Sequence, residues 1–562
     1  MFIPSWRILS FSSGCLFLIT FAIYAPSLNY ELLSWDTYDY LYPTQMIRAF
    51  TWQNLVAMLT SLSMFNWHPL TWLSYAIDYA IYGLNPWGFH LSNVLLHSAN
   101  SVLFFFLCLR LLKLHVGLQK NPAVEFVKHA WLSAALAALW FGIHPQHVES
   151  VVWVAERKDV LFLFFSLLSL LAYLRYSETR SFVAYGGTFL CCLLAVMSKP
   201  MAVSLPVIFL LLDIYPLQRS FLNASNPPEP LKKLLLEKLP FALCSLLGII
   251  LTLIAQRQVI SVFDYVHPGF RVLNAFNNLL FYVSKFLIPF NFSPLYPLDL
   301  QLAENPLSFI AIFVGILLSL WTFYAAYRGR FVGLVVWLFY VISLLPVLGL
   351  VQVGIQAAAD RYAYLPTLMF YLLLATLGGL GMFHANKTYR IFSRLGVLLF
   401  SLSLVLVTLQ QSEVWRNDYQ LWERVTHFVP QNDLAQLNFG KAHYQRGNFA
   451  MAREHYQIAL AHSSARSRDL IQYYLAQAAL KQGDLKTVLD IYLNLTQHHA
   501  EIGVPHSSLF YEIGRIYEQQ GNFLEARMAV EQSLILDPRG EAARDLLRRL
   551  PPAPPTFSFT KQ

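Results

Sequence analysis

Charge is scarce in this sequence. Only 13% of the 562 residues are Asp, Glu, Lys or Arg, against about 25% in a soluble domain. A large soluble protein cannot cover its surface with so little polar material, so that class is excluded. Cysteine is scarce as well. The five cysteines (Cys15, Cys108, Cys191, Cys192, Cys244) include no CxxC pair, so neither a thiolate metal site nor a disulfide framework is indicated. The net charge of +8 is modest. It reads as cytoplasmic loops of a membrane protein rather than as a nucleic-acid footprint, and no nucleic-acid partner is expected.

Apolar residues fill the gap. They make up 56% of the chain and gather in runs of about twenty residues, long enough to cross a hydrocarbon core. Eleven such spans are expected, near 8–27, 91–112, 130–144, 159–176, 182–198, 201–216, 238–256, 307–327, 331–351, 362–383 and 391–410. The first follows Arg7 with no convincing cleavage signal and reads as a retained helix. Residues 272–292 are also apolar but carry Asn274, Asn277, Asn278 and Lys285. They are expected at, or dipping into, one membrane surface. Basic residues in short loops set orientation. With the N-terminus in the cytoplasm, cytoplasmic loops hold Lys113, Lys120, Lys128, Arg175, Arg180, Arg219, Lys232, Lys233, Lys238, Arg328, Arg330, Lys387 and Arg390. An odd number of spans then places the C-terminal region outside, with loops 28–90, 145–158, 257–306 and 352–361.

From Asp418 onward the charges return and a period appears. FGKAHYQRGNFAMAREHYQIAL, LAQAALKQGDLKTVLDIYLNL and IGRIYEQQGNFLEARMAVEQSLILDP align, with turn glycines at Gly447, Gly483 and Gly521. That spacing is close to the tetratricopeptide repeat, a helix pair of about 34 residues. Repeats of this kind stack into an array that binds peptides or partner proteins. The expected architecture is all-α: a polytopic membrane helix bundle over 1–410, a tetratricopeptide-repeat α-solenoid over 411–550 and a Pro-rich disordered tail over 551–562.

Several polar groups sit where a membrane bundle does not need them. Asp36 and Asp39 follow the first span, and on a helical turn they would share a face. Asn66-Trp67-His68-Pro69 comes next, with His90, His97 and Asn100 beyond it. His144, His147 and Glu149 precede the run Glu156-Arg157-Lys158-Asp159. Lys199 lies between two apolar segments, and Asp360-Arg361 opens a span from the outside. Charge buried at a membrane boundary is costly and usually functional. On this topology Lys158, Lys199 and Arg361 share the outer side and are expected to converge on an anionic group such as a phosphate.

The order of an acidic motif, NWHPLTW, HPQHVESVVWVAERKDV, MSKP, VQVGIQAAADRYAYLP and then the repeats resembles the bacterial members of the transmembrane and tetratricopeptide-repeat protein family. These are relatives of the protein O-mannosyltransferases and share the multi-span glycosyltransferase fold called GT-C. The resemblance implies an inverting transfer of a sugar, such as mannose, from a polyprenyl-phosphate donor. The acceptor is a hydroxyl, that of a protein Ser or Thr, on the outer face of a bacterial inner membrane. Asp36 matches the first of two adjacent aspartates in the family motif. Thr37 stands in place of the second, and Asp39 is the nearest carboxylate that compensates. In this reading Asp36 and Asp39 are catalytic, and Arg157, Lys158, Lys199 and Arg361 bind the donor phosphate. His68, His144, His147, Glu149, Glu156, Asp159 and Asp360 are further active-site candidates. No cofactor is required, and a divalent metal is the less favoured variant. The partners are the lipid-linked sugar, membrane lipid and an acceptor polypeptide held by the repeats. The competing expectation is a non-catalytic scaffold that gathers envelope proteins through its repeats. A transporter is disfavoured because few charges fall near the bilayer midplane.

Overall fold

The computed structural model describes residues 4–119, 124–219, 229–262, 266–299, 301–351, 354, 356–497 and 502–552. Lys120, residues 352, 353 and 355 of the VQVGIQAAADRYAYLP motif, and residues 553–562 of the expected tail lie outside them. The chain forms two compact units, Met1–Asn417 and Asp418–Gln562.

The first unit is built from apolar helices. In lipid every backbone N–H and C=O must be bonded within the segment, which a helix achieves and an open strand does not. Among the described residues six helices are long and apolar enough to span: Trp6–Asn29, Pro86–Gly117, Val154–Thr179, Leu231–Arg257, Ser308–Tyr327 and Lys387–Val414. Five shorter apolar helices, His129–Gly142, Phe182–Ser198, Pro200–Ile214, Phe331–Val347 and Leu368–Met382, fall on the other expected segments. By length alone, then, six of the eleven qualify. At 1.5 Å per residue the shorter ones reach only about 20–25 Å.

Burial ranks the six long helices. Pro86–Gly117 and Val154–Thr179 are 61% and 56% buried over their apolar windows. They form the centre. Leu231–Arg257 and Lys387–Val414 are 17% and 11% buried. Their exposed Leu, Ile and Phe side chains suit contact with lipid. Asparagine caps start two helices: Asn85 accepts from Trp87 N–H and Asn386 from Tyr389 N–H, both 3.1 Å.

The broken apolar run 272–292 forms the helix Pro268–Leu287. Its asparagines explain its composition. Asn278 donates to Ala357 O (2.7 Å) and Asn277 to Ser308 O (3.1 Å). The helix thus steadies a two-stranded antiparallel pair, Tyr296–Pro297 with Gln356–Ala358, a small departure from all-α. The second strand leads straight into Asp360 and Arg361.

The helix Arg157–Thr179 carries a charged cluster at each end. At its C-terminal half Tyr173 donates to Asp213 (2.7 Å). Asp213 is paired with Arg219 (2.9 Å) and Lys238 (2.5 Å), and Glu237 with Arg219 (2.6 Å) and Lys238 (2.7 Å). Arg180 joins through Glu229 and Glu237. Arg180, Arg219 and Lys238, three of the basic residues assigned to cytoplasmic loops, are therefore in one place. The other cluster is described below.

The second unit stacks helix pairs: Asp433–Gln445 with Phe449–Ala461, Ala465–Lys481 with Leu485–Gln497, and His506–Gln519 with Phe523–Leu536. Asp418–Phe428 precedes them and Glu541–Arg549 follows. Within each pair the turn needs a left-handed residue, and Gly447, Gly483 and Gly521 adopt φ of +78°, +77° and +77°. Gly440 and Gly514 serve a different purpose. A side chain there would collide with Tyr456 and Val530 of the paired helix.

Candidate functional site

The second charged cluster surrounds the N-terminus of the helix Arg157–Thr179. Glu156 is 2% exposed and sits at its hub. Its Oε1 lies 3.1 Å from Lys158 Nζ and 3.2 Å from Arg361 Nε, and its Oε2 lies 3.5 Å from Lys199 Nζ. Arg361 is also ion-paired with Glu149, whose Oε2 accepts from Arg361 N–H at 2.9 Å. Lys199 is paired with Asp159, which also accepts from Ser150 Oγ (3.0 Å). Three cations from three distant parts of the chain thus meet three carboxylates. The sequence led to the cations. It did not show that each already has a carboxylate partner.

Asp36 stands beside this cluster. It is half-buried and precedes the short helix Thr37–Leu41 with φ 50°, ψ −38°. That conformation is strained for a residue with a Cβ and persists only where the surroundings hold it. Trp153 supplies part of the hold: its Nε1 donates to Trp35 O (3.2 Å). The Trp153 ring also lies under Arg361 (5.5 Å) and stacks on Trp415 (5.4 Å). Burial raises the pKa of Asp36, while Lys158 and Arg361 pull it back. Glu149 is likewise raised by burial against the pull of Arg361.

No family profile matches the chain. Curated proteins do. The chain is 24% identical over 527 residues to protein O-mannosyl-transferase Tmtc3 of Drosophila melanogaster, across 82% of this chain and 56% of that protein. The chain is similar to proteins named protein O-mannosyl-transferases. It is 34% identical over 159 residues to TMTC2 of Mus musculus and 38% over 126 residues to TMTC4 of Homo sapiens. These two matches cover 27% and 22% of this chain and 17% of each relative. The chain therefore spans about half the length, or less, of these relatives. The names bear out the family resemblance read from the motifs, and the apolar helices and stacked helix pairs bear out the membrane character and the repeats.

Not every residue expected at the site is there. Arg157 is turned away from its neighbour Lys158. It is 1% exposed, ion-paired with Asp78 (2.6 Å), and bonded to Phe89 O (2.8 Å) and Asn93. Four of its five N–H donors are spent on these groups and on Ser74 Oγ (3.3 Å), away from Glu156, so it is corrected to a packing role. Asp36 and Asp39 do not share a helical face. Asp36 lies ahead of the helix, and Asp39 is exposed. His144 caps a turn, accepting from Gln146 N–H (3.2 Å) with its other nitrogen 3.2 Å from Phe286 O. His147 bonds Tyr371 OH (2.9 Å) inside an aromatic nest. Both belong to the packing of the bundle. His97 and Asn100 do too, through Tyr364 OH and Val160 O. Asp360 accepts from Tyr296 OH (2.9 Å) and orients the turn that presents Arg361. His68 packs against Tyr40, whose hydroxyl accepts from Lys158 Nζ (3.4 Å), so it is a neighbour of the cluster.

Sequence reasoning missed Trp153 and Tyr40. Trp153 lies inside a motif already singled out and Tyr40 is next to Asp39, but no spacing marks an aromatic as a support. Among the described residues no group of three or more His, Cys, Asp or Glu is placed to hold a metal ion. An apolar cavity of about 120 Å³ is lined by Leu111, Leu212, Val335, Met369 and Leu372 among others. It shares no residue with the charged cluster.

Proposed function

We propose that this chain is a membrane glycosyltransferase that moves a sugar from a polyprenyl-phosphate-linked donor to a hydroxyl acceptor. The observation that carries the reading is the meeting of Lys158, Lys199 and Arg361 around Glu156, with the strained Asp36 beside them. Group transfer from a lipid phosphate needs both halves of that arrangement. As the acceptor oxygen attacks the anomeric carbon, its proton passes to Asp36. The bond from that carbon to the phosphate oxygen breaks, and its electron pair stays on the phosphate. Lys158, Arg361 and Lys199 take up that charge. A carboxylate with a raised pKa is a better base near neutrality than an ordinary one.

The pairing of every cation has a mechanistic consequence. An incoming phosphate competes with Glu156, Glu149 and Asp159 for the same donors. Phosphate oxygens form charge-assisted bonds with guanidinium and ammonium groups as carboxylates do. The exchange therefore avoids leaving a bare cation buried before the donor arrives.

The names of the relatives favour mannose as the sugar and a polypeptide as the acceptor, with the repeat unit as the module that binds it. The bias of basic residues supports a reaction on the outer side of a cytoplasmic membrane.

Transfer of labelled mannose from polyprenyl-phosphate mannose by purified protein in detergent tests the reading. Asp36→Asn should abolish transfer while melting stays within about 1 °C of wild type. Full activity of Asp36→Asn removes Asp36 as the base. A wild type inactive with every polyprenyl-phosphate sugar removes the function itself.

A further inference from the structure

Beside the charged cluster lies a nest of buried polar atoms whose bonding capacity is unspent. Thr37 Oγ1, both ring nitrogens of His68, and Trp72 Nε1 have no hydrogen-bond partner among the described residues. Thr37 is 1% exposed, and His68 and Trp72 are 0% exposed. Buried polar atoms in native proteins are paired in about nine cases out of ten, so a group of unpaired ones calls for an explanation.

All three residues gather about Tyr40. Its ring centroid is 5.7 Å from His68 and 5.0 Å from Trp72, and His68 stacks on Trp72 at 5.2 Å. Thr37 lies one turn before Tyr40 on the same short helix. The nest is fastened to the reacting groups on three sides. Thr37 follows Asp36 in sequence. Tyr40 OH accepts from Lys158 Nζ at 3.4 Å, and Thr71 Oγ1 donates to Ser198 O, next to Lys199, at 3.1 Å. Burial and the nearby Lys158 hold His68 neutral, with its pKa lowered to about 3. One ring nitrogen is then a donor and the other an acceptor.

The inventory of groups is specific. An indole N–H only donates, whereas a neutral imidazole and a hydroxyl each donate and accept. The flat faces of Tyr40, Trp72 and Tyr75 surround them. Alternating donors and acceptors beside aromatic faces suit a ring with hydroxyls on its edge and C–H groups on its face, which is a hexopyranose. They do not suit a phosphate, which would leave the His68 acceptor nitrogen unpaired, nor an isoprenoid chain, which would leave every polar atom unpaired.

We propose that Thr37, His68 and Trp72 are the residues that recognise the sugar of the donor, reading its ring hydroxyls. The proposal rests on the lipid-linked transfer reading above and adds the side chains that set sugar specificity. Tyr40 is as buried as these atoms (1% exposed), so the sugar reaches them only when the short helix that carries Tyr40 moves. The short helix bearing Tyr40 is entered through the strained backbone of Asp36. Sugar capture and placement of the base are then one movement.

The test is equilibrium binding by the full chain in detergent, comparing polyprenyl-phosphate mannose with polyprenyl phosphate that carries no sugar. Trp72→Phe keeps an aromatic ring but removes the indole N–H. Thr37→Val keeps the shape but removes the hydroxyl. Each should weaken binding of the sugar-bearing lipid by roughly two- to twelvefold, the worth of one hydrogen bond, and leave the sugar-free lipid unaffected. Each should also melt at the wild-type temperature or above, because it deletes an atom with no partner. Equal loss for both lipids, or no loss for either, overturns the proposal. The same selective loss with polyprenyl-phosphate glucose, if wild type prefers it, supports the proposal and changes only the sugar. Wild type binding neither lipid overturns the transfer reading itself.

Discussion

Replacing Glu156 by Gln removes the charge at the hub and little volume. Its carboxylate is 2% exposed and lies 3.1 to 3.5 Å from three cations. At an effective dielectric near 20, a unit pair 4 Å apart is worth about 4 kcal/mol before desolvation. Desolvation cancels much of the sum. Breaking a buried pair from one side still costs about 3–5 kcal/mol, because the partner charge stays behind. In Glu156→Gln three cations would share two carboxylates, Glu149 and Asp159. The variant should melt several degrees below wild type in detergent. Its deficit should also be repairable. Polyprenyl phosphate supplies the missing negative charge, and a ligand at a hundred times its Kd adds about 2.7 kcal/mol. The melting shift on adding polyprenyl phosphate should therefore be larger for Glu156→Gln than for wild type. Glu156→Asp, which keeps the charge on a shorter arm, should fall between the two. Unaltered melting of Glu156→Gln, or a smaller lipid-induced shift than in wild type, would refute the bridging role.

Other outcomes follow from single features. Asp36 must be deprotonated to act as a base, and its pKa lies above the ordinary carboxylate value. The acid limb of kcat/KM should rise with pH through a midpoint above that value, and Lys158→Met should move it higher still by removing a cation that lowers it. Arg157→Met should cost about 3–5 kcal/mol by stranding Asp78, yet leave the affinity of the folded fraction for polyprenyl phosphate unchanged. In the repeats, Gly521→Ala meets no atom but must hold φ near +77°. The cost should be about 1–2 kcal/mol, read as faster hydrogen exchange across the helix pair 506–536. Gly514→Ala, which strikes Val530, should speed it further.

Much of this architecture was legible before any coordinates. Apolar runs mark the eleven expected spans, each of which falls on an apolar helix among the described residues, because lipid tolerates so little else. The repeats announce themselves through Gly447, Gly483 and Gly521, each required by its turn. The site was legible only by parts. Lys158, Lys199 and Arg361 stand out because a cation among apolar neighbours is expensive. Their pairing with Glu149, Glu156 and Asp159 joins residues as much as 212 apart, and no local period encodes that. Arg157 and Lys158 look alike in sequence. Adjacent helical positions point about 100° apart, so one meets Asp78 and the other Glu156. The histidines misled for a related reason: a buried imidazole that caps a turn or bonds a tyrosine has the same letters around it as a functional one.

The helix Arg157–Thr179 ties one ionic cluster at Lys158 to another at Tyr173. Fifteen residues separate them, or about 23 Å of rise. A hydrocarbon core is about 30 Å thick. Both clusters are bolted to the protein by ion pairs and cannot spread to fit. The bilayer has to adapt instead, by drawing its leaflets together along this side of the protein. On the proposed function, a lipid whose phosphate meets Lys158 and Arg361 would be pulled below the level of its neighbours' headgroups. The protein would act as a local thickness gauge, favouring thin or readily deformed membrane and responding to acyl-chain length without any regulatory ligand.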